Sequence, residues 1–263
     1  MKGLSVIVPA HNNEAVITRT LESIETALAY LRRSVRGASA ELAAEVVVVD
    51  DGSVDSTFRA VQEFASSKDN YKLIRRVTSS NAACARNVGV AASSGDILFF
   101  LDGDDLFLEP HLAVCCQMLV EDKSLMYVKT GVKLADPVHP EWKGRITNSL
   151  VINMCVRREC HDRVGGFPDF HVFGRGDDRF VHAIDVFRGI EDVYYNRAVV
   201  RSHAGIRIED ETVEYVRYPG NSYDRQYQQF QFETDRGRWI VAEDEQARIA
   251  VAEAIIRWTH GPI

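Results

Sequence analysis

The pattern that decides the fold is a continuous apolar run that ends in a group of carboxylates: Ile97-Leu98-Phe99-Phe100-Leu101-Asp102-Gly103-Asp104-Asp105. A short run that is apolar at every position is typical of a strand covered on both faces, as in a parallel sheet. In open α/β sheets, ligands bind beyond the carboxyl ends of the strands. The segment therefore predicts a buried central strand with a polar site directly after it.

The chain before this run alternates between strand and helix patterns. Strands are predicted at 4–8, 46–49 and 71–77, and helices at about 14–32, from 55 onward and at 81–92. Such a βαβα order predicts an α/β fold with a mostly parallel, Rossmann-like central sheet and helices on both faces.

The pattern is weaker after residue 105. A helix is predicted near 110–120, strands near 125–134 and 150–156, a short helix at 157–164 and a final strand at 192–201. Residues 209–238 are rich in Tyr, Gln, Asp and Arg, which predicts a loop or an irregular lid. From Ala247 to Trp258 the apolar residues recur at helical spacing. They predict an amphipathic helix over about 240–259, packed on the domain as a C-terminal helical extension.

The composition limits the classes of protein that the chain can belong to. With 263 residues, of which 46% are hydrophobic and 26% charged, it is typical of a globular protein. Its formal net charge of −7 disfavours nucleic acid as a partner. No stretch of 18 apolar residues occurs, so no transmembrane segment is predicted. Five cysteines without a C-x-x-C pair favour a reduced, cytoplasmic protein, with peripheral association with a membrane left open.

Three predicted strands end in polar residues. The first is followed by Pro9-Ala10-His11-Asn12-Asn13-Glu14, the second by Asp50-Asp51-Gly52-Ser53-Val54-Asp55, and the fourth by Asp102-Gly103-Asp104-Asp105. Each stretch alone also fits a turn or a helix cap. Because they follow neighbouring strands and hold many carboxylates, the three together favour a nucleotide and metal site.

The Asp-x-Asp spacing has a physical reason. Two carboxylates separated by one small residue can reach a Mg²⁺ or Mn²⁺ ion that bridges the phosphates of a nucleotide diphosphate. Gly103 lets the backbone approach the ligand closely. The cation offsets the charge that develops on the diphosphate as its bond to a sugar breaks. Without a cation, the clustered carboxylates would repel one another and take up protons.

Four stretches in order resemble the motifs of family 2 glycosyltransferases with the GT-A fold. They are Ser5-Val6-Ile7-Val8-Pro9-Ala10-His11-Asn12, Val49-Asp50-Asp51-Gly52-Ser53-Val54-Asp55-Ser56-Thr57, Ala85-Arg86-Asn87-Val88-Gly89 with Gly95-Asp96, and Phe100-Leu101-Asp102-Gly103-Asp104-Asp105. A looser match joins Gly165-Gly166-Phe167-Pro168 to Gly176-Asp177-Asp178. The resemblance reaches about residue 205. It implies a GT-A domain over 1–205, with a nucleotide-binding half (1–105) and an acceptor half (106–205), followed by an extension over 206–263.

The resemblance also implies roles for individual residues. The donor nucleotide would be bound by Pro9, His11, Asn12, Glu14, Asp50, Asp51, Arg86, Asp102 and Gly103. Asp104 would be the direct metal ligand, with Asp105 in reserve. His203 resembles a late histidine that approaches the metal or the diphosphate in some members. Asp178 matches the general base of the family.

The activity implied by the resemblance is an inverting, metal-dependent sugar transfer. The donor would be a nucleotide-diphosphate sugar, by family habit a UDP-sugar, and the cofactor Mn²⁺ or Mg²⁺. The acceptor would be a hydroxyl group of a saccharide, a lipid-linked sugar or another molecule. An inverting transfer needs one base, to take the proton of that hydroxyl, and no covalent sugar intermediate on the enzyme.

The sequence departs from the family pattern at two positions, and three alternatives stay open. Asn81 replaces a usual Gly, and we expect it to keep the left-handed backbone of the turn. Asp177 stands where Glu is usual, which leaves an inactive nucleotide-sugar-binding module as an alternative. A metal-dependent phosphatase of the haloacid dehalogenase type would place its Asp-x-Asp after the first strand. Dinucleotide-dependent redox chemistry would need a Gly-x-Gly-x-x-Gly after a strand, which the chain does not have.

Overall fold

The computed structural model describes residues 3–34, 43–138, 140–169, 171–173, 180–182, 191–225 and 227–228, together with the single helical positions 250 and 254. The strands in these ranges are β1 (Gly3–Ala10), β2 (Ala43–Asp51), β3 (Tyr71–Arg76), β4 (Ile97–Phe100), β5 (Leu106–Phe107), β6 (Tyr127–Leu134), β7 (Met154–Arg157), β8 (His171–Phe173), β9 (Phe180–His182) and β10 (Gly205–Tyr215). The helices are α1 (Ile17–Ser34), α2 (Thr57–Ala65), α3 (Ala82–Ala91), α4 (His111–Glu121), α5 (Pro140–Ser149), α6 (Arg158–Val164) and α7 (Glu191–Ser202).

An eight-stranded sheet forms the centre, in the order β3-β2-β1-β4-β7-β6-β10-β5. The four strands from β3 to β4 are all parallel, so β1, β2 and β4 end at the same edge. Beyond β4 the sheet is mixed, because β7 runs antiparallel to both β4 and β6, and β5 runs antiparallel to β10. β8 and β9 form a separate antiparallel pair. The predicted α/β class with helices on both faces is confirmed.

Alternating side chains of the central strands face two separate cores. Val46 and Val48 of β2 pack with α1, α2 and α4, whereas Val47 and Val49 pack with α3, α6 and α7. Successive side chains of a strand point to opposite faces, so a strand covered on both sides is apolar at every position. This explains the continuous apolar runs in the sequence.

The predicted strand at 192–201 is wrong, because this segment forms α7. Tyr194, Tyr195, Ala198 and Val199 are buried on one side of the helix. Their spacing of three to five residues is that of a helix face. The aromatic and β-branched side chains favoured a strand on composition alone, but packing against α6 and the sheet determines the outcome.

The loop predicted over 209–238 is wrong in its first part, because residues 209–215 belong to β10. This strand pairs with β6 on one side and with β5 on the other. The sheet therefore continues ten residues past the predicted domain boundary at 205.

The amphipathic helix predicted over 240–259 lies outside the described residues, apart from positions 250 and 254. In the described part of the chain, none of the helices is both long and apolar enough to cross a bilayer.

The half-buried carboxylate of Glu45 joins the amino ends of the central strands. Glu45 Oε1 accepts hydrogen bonds from Ser5 Oγ (2.7 Å) and Ser94 Oγ (2.9 Å), and Oε2 pairs with Lys72 Nζ at 2.7 Å. Burial acts to raise the pKa of Glu45, but the hydrogen bonds outweigh it and lower that pKa to about 2. The ionised carboxylate is therefore stabilised by folding.

We expect Glu45→Gln to lower the free energy of unfolding at pH 7 by about 1–2 kcal/mol, less than the full pKa shift would give, because solvent screens this partly exposed carboxylate. Because the folded pKa lies below the unfolded value, this contribution is complete above about pH 4.5 and is lost as the pH falls toward 2. Urea unfolding at pH 7 and pH 3 measures it. Glu63→Gln is the control, since Glu63 forms an exposed pair with Arg59 and should change stability by less than about 0.5 kcal/mol. An equal loss at both pH values would contradict the assignment to the charge of Glu45.

Candidate functional site

A cleft with a volume of about 250 Å³ lies at the carboxyl edge of β1, β2 and β4. Six of the residues predicted from the sequence line it: Pro9, His11, Asp51, Asp102, Gly103 and Asp104. Asn13, Ser79 and Asn81 line it as well and were not predicted. The parallel part of the sheet brings the residues that follow three different strands to one place, as expected for this edge.

Hydrogen bonds join the loop after β1 to the loop after β2. His11 Nδ1 lies 2.8 Å from the backbone oxygen of Asp51, and the backbone N–H of Asn12 donates to Ser53 Oγ at 3.0 Å. Asn12 has a φ of 53°, in the left-handed region that Asn tolerates better than most residues. This local conformation turns the chain from β1 toward β2 and forms one wall of the cleft.

Asn12 and Glu14 hold the two loops together and, among the described residues, are not part of the cleft lining. Asn12 Oδ1 accepts the N–H of Val54 at 3.0 Å, and Glu14 Oε2 accepts the N–H of Ser56 at 2.8 Å. Both contacts join the β1 loop to the start of α2. They therefore affect the cleft indirectly, through the positions of the two loops.

The two carboxylates at the end of β2 face opposite sides of the sheet. Asp51 lines the cleft, where it pairs with Arg76 Nη1 at 2.7 Å and accepts the N–H of Ser80 at 2.9 Å. The hydroxyls of Ser79 and Ser80 also lie 3.1 and 3.5 Å from its oxygens. Because a carboxylate offers about four lone-pair positions, a further N–H would have to replace one of these partners. Asp50 is fully buried beside Arg75, with Nε 3.6 Å from Oδ2, and lies outside the described lining.

Asn81 is the residue before α3. The prediction that its backbone is left-handed is wrong. Its φ of −176° and ψ of 173° are extended, and its Oδ1 accepts the N–H of Cys84 at 2.9 Å. This is the geometry of a helix N-cap, for which Asn is a preferred residue. The amino end of α3 therefore opens into the cleft, where its partial positive charge favours an anion such as a phosphate.

The turn after β4 places two carboxylates in the cleft. A Cβ atom on Gly103 would lie 2.8 Å from Asn13 Oδ1 and 3.1 Å from the backbone oxygen of Pro9, so the turn packs too tightly for a larger residue. Asp104 Oδ2 accepts the hydroxyl hydrogen of Tyr218 at 2.8 Å. Burial, followed by the charge of Asp102, raises the pKa of Asp104 to about 6. A cation at this position would offset that repulsion.

Asp105 is buried and accepts the backbone N–H of Val216 at 2.8 Å. Burial, together with the charges of Asp104 and Asp102, raises its pKa well above the usual range. It is not among the described residues that line the cleft. Its position supports a structural role for Asp105 and gives no support to its use as a reserve metal ligand.

A buried guanidinium joins the turn after β4 to α7. Arg86 is 1% exposed, and its two terminal nitrogens contact Asp102 Oδ1 at 2.5 Å and Asp192 Oδ1 at 2.6 Å. The guanidinium also lies over the ring of Phe167, 5.1 Å from the centroid. The resemblance placed Arg86 near the base or the diphosphate, whereas its contacts here are with the carboxylate that lines the cleft and with a second carboxylate behind it.

The sequence analysis missed Asp192, which lies in the first turn of α7 with its side chain 20% exposed. Burial raises the pKa of Asp192 to about 7, although the charge of Arg86 acts in the opposite direction. A signal for it was present in the sequence. Glu191-Asp192 is a second acidic pair in the chain, and the wrong assignment of 192–201 to a strand left it out of the candidate site residues.

Of the two remaining predicted residues, Asp178 and His203, only His203 lies among the described residues. Asp178, with Asp177, lies outside the described residues, so its role as the base stays a prediction. His203 follows the end of α7, at the amino end of β10. Gly205 pairs there with Tyr127, the first residue of β6, whereas the acidic turn contacts the segment beyond the other end of β10. His203 therefore lies at the far end of this strand from Asp104.

Asp102 and Asp104 are the described residues that fit a divalent cation. Across the described part of the chain, no group of three or more His, Cys, Asp or Glu side chains forms a complete metal cage. Mg²⁺ is usually held by one or two carboxylates, with substrate phosphates and waters as its other ligands. The two carboxylates in the cleft match this incomplete donor set.

The family model described as glycosyl transferase family 2 matches residues 5–171. Glycosyltransferase AglE of Haloferax volcanii is 29% identical over 196 residues, which are 66% of this chain and 58% of AglE. The UDP-Glc:alpha-D-GlcNAc-diphosphoundecaprenol beta-1,3-glucosyltransferase WfgD of Escherichia coli is 30% identical over 125 residues, 47% of this chain and 44% of WfgD. The chain thus spans about half the length of these curated relatives.

Two solved structures share the fold at low sequence identity. The structure of S. aureus TarS 1–349 in complex with UDP-GlcNAc has a TM-score of 0.67 at 20% identity, covering 100% of this chain and 68% of that one. The mannosyltransferase PcManGT from Pyrobaculum calidifontis, in complex with GDP-Man and Mn²⁺, has a TM-score of 0.60 at 19% identity, covering 97% and 71%. The fold is therefore that of GT-A glycosyltransferases.

Proposed function

This chain belongs to glycosyl transferase family 2, and from that premise we propose that it transfers a sugar with inversion from a nucleotide-diphosphate sugar to an acceptor hydroxyl. The observation that carries the proposal is the meeting of three features at one edge of the sheet. They are the pocket between the β1 and β2 loops, the carboxylates Asp102 and Asp104, and the Arg86–Asp192 pair behind them.

The donor is proposed to be a UDP-sugar. The nucleoside would lie against His11 and Asp51, and its diphosphate would lie between the amino end of α3 and the Asp102–Asp104 turn. WfgD is named as a glucosyltransferase that uses UDP-Glc, and the TarS structure is a complex with UDP-GlcNAc; both support this choice. The GDP-Man complex of PcManGT makes a guanine donor the second candidate.

Asp102 and Asp104 are proposed to hold Mn²⁺ or Mg²⁺. When bound, the cation supplies charge that offsets the negative charge on the departing diphosphate. The chain's own contribution is to hold these carboxylates in place, since Arg86 fixes one oxygen of Asp102 and Tyr218 fixes one oxygen of Asp104.

Asp192 is proposed as the general base; it is not among the described residues that line the cleft, but its side chain is 20% exposed and it shares Arg86 with the cleft-lining Asp102. As the acceptor oxygen bonds to the anomeric carbon and the bond from that carbon to the diphosphate oxygen breaks, Asp192 would take the proton of the acceptor hydroxyl. A base works best when its pKa lies near the operating pH, and burial raises that of Asp192 to about 7. Asp178, the base predicted from the resemblance, is the second candidate.

The acceptor is proposed to be a hydroxyl of a saccharide or of a lipid-linked sugar. The diphosphoundecaprenol in the name of WfgD and the poly(ribitol-phosphate) in the name of TarP from Staphylococcus aureus support this range. A cytoplasmic location, with peripheral membrane association, is proposed with it. The five buried, unpaired cysteines agree with a reducing compartment.

A panel of UDP-, GDP- and dTDP-sugars, each with and without Mn²⁺, tests the proposed function. We expect release of UDP from one or more UDP-sugars, dependent on Mn²⁺. Binding of UDP-sugars without turnover on any acceptor tested would favour the inactive nucleotide-sugar-binding module. Release of phosphate from a phosphomonoester, without any donor sugar, would favour a phosphatase.

A further inference from the structure

The segment that follows β10, residues 216–225, contacts the acidic turn at two consecutive carboxylates. The backbone N–H of Val216 donates to Asp105 Oδ1 at 2.8 Å, and the hydroxyl of Tyr218 donates to Asp104 Oδ2 at 2.8 Å. More than 110 residues of chain separate the partners in each contact. One short segment thus sets the positions of two neighbouring acidic side chains.

The 216–225 segment is itself held firmly. Arg217 lies between two carboxylates, 2.7 Å from Asp136 Oδ2 and 2.9 Å from Asp224 Oδ1. Asn221 Nδ2 donates to the backbone oxygen of Val216 at 2.7 Å. The fully buried ring of Tyr223 stacks on the ring of Tyr215, the last residue of β10, with centroids 4.8 Å apart. Tyr218 is therefore presented to Asp104 from a packed segment.

We propose that Tyr218 is a positioning residue, which fixes the rotation of the Asp104 carboxylate for a divalent cation. The inference rests on the proposed function. By holding Oδ2, the hydroxyl leaves the other oxygen of this cleft-lining carboxylate for the metal. A neutral hydroxyl does this without adding a positive charge that would compete with the cation. Arg86, which is charged, also holds one oxygen of Asp102, so one oxygen of each Asp-x-Asp carboxylate is held by the protein.

Partners of this kind, which orient a metal ligand, contribute roughly 10- to 100-fold to metal affinity. Tyr218→Phe removes only the hydroxyl, so we expect the dissociation constant for Mn²⁺, measured by electron paramagnetic resonance with Mn²⁺ alone, to rise by at least roughly 10-fold. In turnover assays, KM for Mn²⁺ should rise in parallel, and kcat at saturating Mn²⁺ should stay near that of the wild type. A general loss of packing would also lower kcat at saturating Mn²⁺, so it would not change KM for Mn²⁺ alone.

Tyr71→Phe is the matched control. It also removes a hydroxyl that donates to a carboxylate, Glu25 Oε1 at 2.9 Å, and it lies at the start of β3, at the opposite edge of the sheet from the cleft. It should leave Mn²⁺ affinity unchanged, and thermal melting should show that both variants are folded.

The outcomes separate this inference from the proposed function. If the wild type binds Mn²⁺ and Asp104→Asn does not, but Tyr218→Phe binds equally well or more tightly, the inference about Tyr218 is overturned and the metal site stands. Tighter binding would mean that the hydroxyl competes with the cation. If the wild type binds no Mn²⁺, either alone or in the presence of UDP, the metal part of the proposed function fails, and the inference about Tyr218 fails with it.

Discussion

Asp192→Asn is expected to lower kcat by roughly 10²- to 10⁴-fold, the usual contribution of a general base, while the dissociation constant for UDP changes little. The amide cannot take a proton from the acceptor hydroxyl, but it keeps the size of the carboxylate and an oxygen that accepts the Arg86 hydrogen bond. The loss should therefore appear in the chemical step. Steady-state kinetics with the best donor, together with calorimetric titration of UDP, measure the two quantities.

The pH profile gives a second readout of the same prediction. The base must be ionised, and burial raises the pKa of Asp192 to about 7. The turnover of the wild type should then increase with pH through about 7 and fall by tenfold per pH unit well below it. The residual turnover of Asp192→Asn should lose this limb of the profile.

Asp178→Asn is the comparison that decides between the two candidate bases. If Asp192 is the base, Asp178→Asn should retain most of the wild-type kcat. A large loss in Asp178→Asn, with Asp192→Asn within about tenfold of the wild type, would transfer the role to Asp178. Thermal melting of Asp192→Asn is also needed, because removing one partner of a buried ion pair can cost roughly 3–5 kcal/mol of stability.

The parallel half of the fold could be predicted because its signals are local. The run from Ile97 to Leu101 is apolar at every position, and the buried side of α1, from Ile17 to Leu31, has helical spacing in the sequence itself. The residues after these strands then had to meet at one edge. For this reason Asp51, Asp102 and Asp104 were placed correctly in a single cleft.

The part of the chain after residue 105 could not be predicted to the same extent, because its decisive contacts are not local. Tyr218 meets Asp104 across 114 residues, and no short pattern records such a pairing. In α7, Tyr194 and Tyr195 have side chains that favour strands, and packing against α6 and Phe167 decides for a helix. That one error also concealed Asp192.

Asn12 and Asn81 show that the backbone conformation of a residue near the cleft could not be predicted from its residue type alone. Asn tolerates a left-handed backbone and is also a preferred N-cap, so residue type alone does not choose between these conformations. The structure gives the left-handed conformation to Asn12 and the extended N-cap to Asn81. The choice depends on the partners available, Ser53 for the first and the amino end of α3 for the second.

Asp104→Asn is expected to lower kcat/KM by roughly 10²- to 10³-fold, since a bound cation is worth several kcal/mol of charge stabilisation and each 1.36 kcal/mol is a factor of ten. The same substitution should leave the metal-free protein as stable as the wild type, or more stable. Burial and the charge of Asp102 raise the pKa of Asp104 to about 6, so its ionised form is disfavoured in the folded state. An amide removes that repulsion and can still accept the Tyr218 hydrogen bond.

Activity and stability should thus move in opposite directions, as expected where a site is built for a ligand at some cost in stability. Thermal melting without metal, and kcat/KM at saturating Mn²⁺, measure the two sides. Asp122→Asn, at the exposed end of α4, is the control for loss of one negative charge, and it should leave kcat/KM unchanged. A clear fall in the melting temperature of Asp104→Asn would show that this carboxylate stabilises the fold, and unchanged kcat/KM would remove it from the metal site. The opposite signs are expected because Asp102 and Asp104 concentrate negative charge that a bound cation would offset.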